Sequence, residues 1–136
     1  MNRLTVLIHQ QHPFHQITLH QACNAQGIFR VRLVNDLLTA PLSLQAPSPA
    51  DLLILDQAMP ARSGKVLLDR LRSAPATPAL LFVGKPQAKR PDFARLARER
   101  GLWVLGELTW PLSAPALSLA LRRLNGITRP LGQQPA

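Results

Sequence analysis

The chain has 136 residues, 46% of them apolar but only 4% aromatic and none tyrosine, so one domain with an aliphatic, mostly leucine core is expected. A formal charge of +9, from 16 Lys and Arg against 7 Asp and Glu, invites an acidic partner or nucleic acid but argues for no particular fold. The single cysteine, Cys23, excludes an internal disulfide and points to a reducing compartment, and no apolar run reaches the roughly 18 residues of a membrane helix.

His9, Gln10, Gln11 and His12 interrupt the apolar start, so no secretory segment is expected, and the expected location is the cytoplasm. Leu4 to Ile8 reads as a first strand, followed by a loop to Pro13, which suits the first turn of a helix. In that helix Phe14, Ile17, Ala22 and Ala25 share one face, while Leu19 and Cys23 form a pair off it. Gly27 stops it. Cys23 is expected to act as a small, at least partly buried hydrophobe. His9, His12, His15 and His20 cluster early but have no acid or cysteine at ligand spacing, and read as loop and surface residues, not a metal site.

Phe29 to Leu33 alternates with Arg30 and Arg32, predicting a half-exposed second strand. Asn35 and Asp36 can cap a short helix through Leu38, and Pro41, Pro47 and Pro49 make 41–50 a loop. Leu52 to Leu55 is short enough for a buried strand, and Asp56 ends it, placing a carboxylate at the strand's carboxyl end. Met59-Pro60 turns the chain, and Gly64 permits a tight approach or a positive φ just before the next helix.

Lys65 to Ser73 predicts a third helix and Leu80 to Val83 a fourth buried strand ended by Gly84. Asp92 caps a helix through Arg100 with Gly101 closing it, and Trp103 to Leu105 is a fifth strand. A last helix runs from Ala114 to Leu124, ended by Asn125-Gly126. The domain is therefore expected over 1–126, with 127–136 as a C-terminal tail or linker. Alternation of short strands and helices implies an α/β doubly wound five-stranded parallel sheet with five helices.

Asp56, two residues, Met59-Pro60, three residues, Gly64 stand in the register of the phosphoacceptor segment of response-regulator receiver (CheY-like) domains, and residues 4–125 resemble that family. The resemblance implies the flavodoxin-like receiver fold and a carboxyl edge with five functional positions. In an active receiver these are an acid pair that helps hold Mg²⁺, the phosphoacceptor Asp, a Thr or Ser after the fourth strand, and a Lys before a Pro after the fifth. Here they fall on Gln10 and Gln11, on Asp56, on Val83 and on Trp110. Amides add no negative charge, valine donates no hydrogen bond and tryptophan carries no cation, so Mg²⁺ binding is expected to be lost or weak and no other cofactor is implied. With catalysis not expected, Asp56 is read as a structural acceptor of hydrogen bonds from the Gln10 or Gln11 side-chain amides. Two readings stand beside this one: an atypical receiver still phosphorylated on Asp56, and a basic nucleic-acid-binding α/β module.

The stretch from Gly101 to Pro111, with its Gly-Glu-Leu step at Glu107, resembles the corresponding segment of receivers joined to EAL-type cyclic-di-GMP phosphodiesterase domains, although no EAL motif occurs here. The family's usual partner surface comprises the fourth helix, fifth strand and fifth helix. That surface would here carry Lys85, Lys89, Arg90, Arg95, Arg98, Arg122 and Arg123. A protein partner is therefore expected: a histidine kinase, an output domain, another receiver or a second copy of this chain. Nucleic acid is disfavoured because no helix-turn-helix or aromatic-interleaved motif accompanies the charge, and no membrane partner is expected.

Overall fold

The computed structural model describes residues 4–35, 50–74 and 77–133, with side chains to residue 124. Strands β1 (Thr5–Ile8), β2 (Arg30–Leu33), β3 (Leu52–Asp56), β4 (Ala79–Val83) and β5 (Val104–Leu108) form one sheet in the order β2-β1-β3-β4-β5. Every pairing is parallel. Helices α1 (Pro13–Ala25), α2 (Ala61–Arg72), α3 (Phe93–Glu99) and α4 (Ala114–Gln133) cover it.

Alternation along the central strands divides the core into two layers. Leu53, Leu55, Leu80 and Phe82 pack with Leu67, Leu68 and Leu71 of α2 and with Phe93 and Ala97 of α3. Leu52, Ile54, Leu81 and Val83 face the other way, onto Leu19 and Cys23 of α1 and Leu117, Leu121 and Leu124 of α4. β3 is buried along its whole length because strands flank it and helices cover both its faces. This is the flavodoxin-like strand order, in which chain direction switches between β1 and β3 and a crevice opens at their carboxyl ends.

Several local expectations change. On α1 the buried residues are Leu19 and Cys23, whereas Phe14 and Ile17 are 66% and 52% exposed. The helix carries two apolar stripes of similar weight, and the sheet takes the one that meets Val6, Ile8 and Ile28. α2 starts at Ala61 directly after Pro60, so Gly64 lies inside the helix, its N–H donating to the Pro60 carbonyl at 2.8 Å. A Cβ on Gly64 would come within 2.5 Å of the Phe93 ring; close approach, not a positive φ, requires glycine there.

β5 begins one residue later than expected and runs on to Leu108. The β4–β5 register shifts past Leu105, so Gly106, Glu107 and Leu108 pair with Leu81, Phe82 and Val83. α4 continues through Asn125-Gly126 to Gln133, into the segment expected to be a tail. A glycine in a helix costs only about 1 kcal/mol against alanine, which weakens such a stop signal without enforcing it. Asp92 caps α3 as expected, accepting from the Arg95 N–H at 3.2 Å. The helix expected after Asn35, like nearly all of the 41–50 loop, lies outside the described residues.

Candidate functional site at the carboxyl edge of the sheet

Asp56 is the last residue of β3 and is 7% exposed. Its Oδ1 accepts the Ala58 N–H at 2.9 Å and its Oδ2 accepts the Gln11 N–H at 3.2 Å. Backbone amides at the sheet edge therefore hold the carboxylate, in place of the expected glutamine side chains. Gln11 is exposed and contributes its main chain. Gln10 is buried, its carbonyl accepts from Gln16 Nε2 at 2.7 Å, and its own side-chain amide has no hydrogen-bond partner.

Val83, the expected hydroxyl position, does not reach the carboxylate. Its side chain is fully buried in the layer shared with α1 and α4. The next residue, Gly84, turns over Asp56, and a Cβ there would lie 3.5 Å from Oδ1. Its φ of +124° is a conformation that side-chain-bearing residues rarely adopt. β4 ends at Val83 as expected, but the position facing the carboxylate is the residue after the strand, and one residue reverses the side-chain direction. A hydroxyl is lacking at either position.

Trp110 precedes Pro111 across a cis peptide and stacks on His15, with ring centroids 3.8 Å apart and planes 13° from parallel. His12 caps α1 by accepting the Phe14 N–H at 3.1 Å, and its ring lies 5.1 Å from that of His15. Partial burial lowers the His15 pKa, the nearby His12 lowers it further, and Asp56 opposes both. His9, in contrast, is buried, with Nδ1 2.8 Å from the Val34 carbonyl oxygen, so it is not a surface residue.

Together these residues border a cleft of about 520 Å³, whose walls include Gln11, His15, Asp56, Gly84, Lys85 and Trp110. Lys85, expected on the partner surface, is exposed and borders this cleft. As ligands for a hard cation the cleft offers a single carboxylate, and the side-chain amide of Gln10 is buried in the interior. Among the described residues no group of three or more His, Cys, Asp or Glu is placed to hold a metal ion.

Several cations of the basic surface are engaged within the chain. Arg95 contacts Glu99 at 3.4 Å, Arg98 contacts Glu107 at 2.9 Å, and Arg100 contacts Asp69 at 2.8 Å. Arg90 donates to the Ala58 carbonyl at 3.3 Å and Arg123 to the Leu105 carbonyl at 3.0 Å. Lys89 and Arg122 are exposed.

Sequence reading missed Gln57. It is buried beside Asp56, donates from Nε2 to Asp92 at 3.4 Å and to Glu107 at 3.2 Å, and accepts the Phe93 N–H at 3.1 Å. It thereby ties the Asp56 loop to the start of α3 and to β5. No helix among the described residues is long and apolar enough to cross a membrane.

No family model matches the chain, and a search of curated proteins found no match. Solved structures do match. A response regulator from Colwellia psychrerythraea is 21% identical with a TM-score of 0.67, covering 91% of this chain and 98% of that one. The beryllofluoride-activated NtrC receiver domain is 20% identical with a TM-score of 0.65, covering 93% and 98%. A signal receiver domain from Clostridium thermocellum is 17% identical with a TM-score of 0.69, covering 90% and 98%. At these identities the likeness establishes the fold and not the chemistry. The chain has the fold of response-regulator receiver domains, with Asp56 at the carboxyl edge of its sheet.

Proposed function

We propose that this chain is a degenerate receiver domain of a two-component response regulator, acting in signal transduction through protein–protein contacts, without Mg²⁺-dependent phosphotransfer and without catalysis of its own. One observation carries the reading: Asp56 is held by backbone amides in a cleft where Gly84 and the His15–Trp110 stack stand near it. Phosphoryl transfer to a carboxylate develops negative charge on oxygens approaching an anion, and catalysis of it depends on fixed countercharge. A lone carboxylate without an acid pair beside it lacks the negative charge that would gather Mg²⁺ as that countercharge, so Mg²⁺ binding is expected to be lost or weak. The fold's surfaces remain available to a histidine kinase, an output domain, another receiver or a second copy of this chain, in the cytoplasm.

Lys85 favours a second reading. It is a cation lining the Asp56 cleft, and it could compensate for the missing lysine at Trp110 in an atypical receiver still phosphorylated on Asp56. Intact mass before and after treatment with a small phosphodonor and Mg²⁺ separates the two. Unchanged mass supports the degenerate receiver, and stoichiometric phosphate on Asp56 overturns it. A salt titration of binding to random duplex DNA tests the nucleic-acid reading. Pairing of Arg95, Arg98 and Arg100 with acids predicts weak binding, and tight binding with a steep negative slope of log affinity on log salt would favour that module.

A further inference from the structure

From the Asp56 cleft we infer a binding site for a planar heterocycle bearing a 2-amino-4-oxo-pyrimidine edge, the shared chemistry of guanine and pterins. The inference rests on the reading above in one respect: Asp56 must remain a free carboxylate.

The cleft's volume, about 520 Å³, is that of a small-molecule site, and most of its border is ring or hydrocarbon: Pro13, Pro86, Ala58 and the stacked pair His15 and Trp110. Those flat side chains favour a flat ligand, since ring against ring and ring against proline buries apolar area at little entropic cost. The polar groups are few and of defined sense. Each oxygen of Asp56 accepts one backbone N–H and retains acceptor capacity, so the carboxylate can receive two further parallel N–H donors.

An amidine-like edge, with a ring N–H beside an amino group, supplies that pair of donors. Lys85 provides a donor at the same cleft, suited to a carbonyl next to the N–H edge. An anionic edge would meet Asp56 as a like charge and is disfavoured. The absence of a Cβ at Gly84, next to Oδ1, leaves that oxygen approachable. Together these features select the donor–donor–acceptor edge named above over an adenine edge, which lacks an adjacent ring N–H.

Fluorescence of Trp110 reads the site directly. In the Trp103→Phe chain, where Trp110 is the remaining tryptophan, guanosine and 6-hydroxymethylpterin are titrated separately, with absorbance corrected. Saturable quenching by either one supports the site, and which one saturates identifies the source of the ring. Inosine, which lacks the 2-amino group, should bind about tenfold or more weakly than guanosine where guanosine saturates, because one carboxylate acceptor loses its donor. Asp56→Asn should weaken the saturating ligand by a similar factor. Failure of both ligands to saturate overturns the inference, as does equal binding of inosine and guanosine or equal binding to Asp56→Asn. Intact mass on the same samples reports any phosphate on Asp56, so failure of the receiver reading and failure of the ligand site are read separately.

Discussion

Gln57 and Glu107 are joined by a 3.2 Å hydrogen bond that ties the loop after β3 to the edge strand β5. The same glutamine amide reaches Asp92, and its oxygen takes the first N–H of α3 from Phe93. Gln57→Ala strips partners from a helix N-terminus and from two carboxylates at once. Loss of about 1–3 kcal/mol in denaturant unfolding is expected, with the midpoint lowered and the m-value unchanged. Hydrogen exchange should quicken at the Phe93 amide more than in β3. A loss well under that range would mean the glutamine is a bystander.

Gly64 and Phe93 form a second lock, between α2 and the start of α3. A methyl group at Gly64 would come within 2.5 Å of the phenyl ring, and the ring lies fully buried in the layer with Leu67 and Leu68. Gly64→Ala is helix-favouring in isolation, by about 1 kcal/mol. Here overpacking should dominate and leave a net destabilisation of about 1–3 kcal/mol. Phe93→Leu in the same chain should recover part of that loss, giving non-additive energies in a double-mutant cycle. Simple additivity would show that the ring moves aside freely.

Cys23 has a definite pH signature. Burial pushes its thiol from its ordinary 9.0 up to about 11. The unfolded chain therefore releases this proton at lower pH than the folded chain does. Between those values the unfolded state binds fewer protons, so stability falls as pH rises. Below about 9 the contribution is fully present. Unfolding free energy measured across that window should slope downward, and Cys23→Ala, although less stable throughout, should lose this part of the slope. Thiol-reagent labelling near neutral pH should follow unfolding.

Much of this architecture was readable from the chain, for identifiable reasons. β3 announces itself because Leu52 to Leu55 is continuously apolar and Asp56 ends it, and a strand buried on both faces needs no alternation. The α3 boundaries follow from Asp92 and Gly101, residues whose local chemistry sets a helix end without help from the rest of the fold. Where tertiary packing decides, local signals fail. Nothing within α1 says whether the Phe14–Ile17 or the Leu19–Cys23 stripe meets the sheet. The end of β4 at Val83 is legible, but not which residue beside it turns toward Asp56, and that single residue exchanges a core side chain for the one over the carboxylate. Gln57 carries no signal until β5 and α3 are placed beside it. His15 and Trp110 are likewise distant in sequence and adjacent only because the first and fifth strands deliver their loops to the same edge.

That His15–Trp110 contact sets the last test. Partial burial and the neighbouring His12 hold the imidazole pKa below its ordinary 6.5, against the opposing pull of Asp56. A base whose folded pKa is depressed is protonated first in the unfolded chain, so acidification below that value draws on folded stability, and the contribution is fully present above it. Proton NMR of the imidazole should show His15 titrating below its ordinary 6.5. His12→Ala should move the His15 midpoint upward by removing a like charge. Asp56→Asn should move it further down by removing the carboxylate that favours the imidazolium. Opposite signs for these two substitutions are the diagnostic result. A His15 midpoint at or above 6.5 would mean that the ring does not stay against the indole in solution.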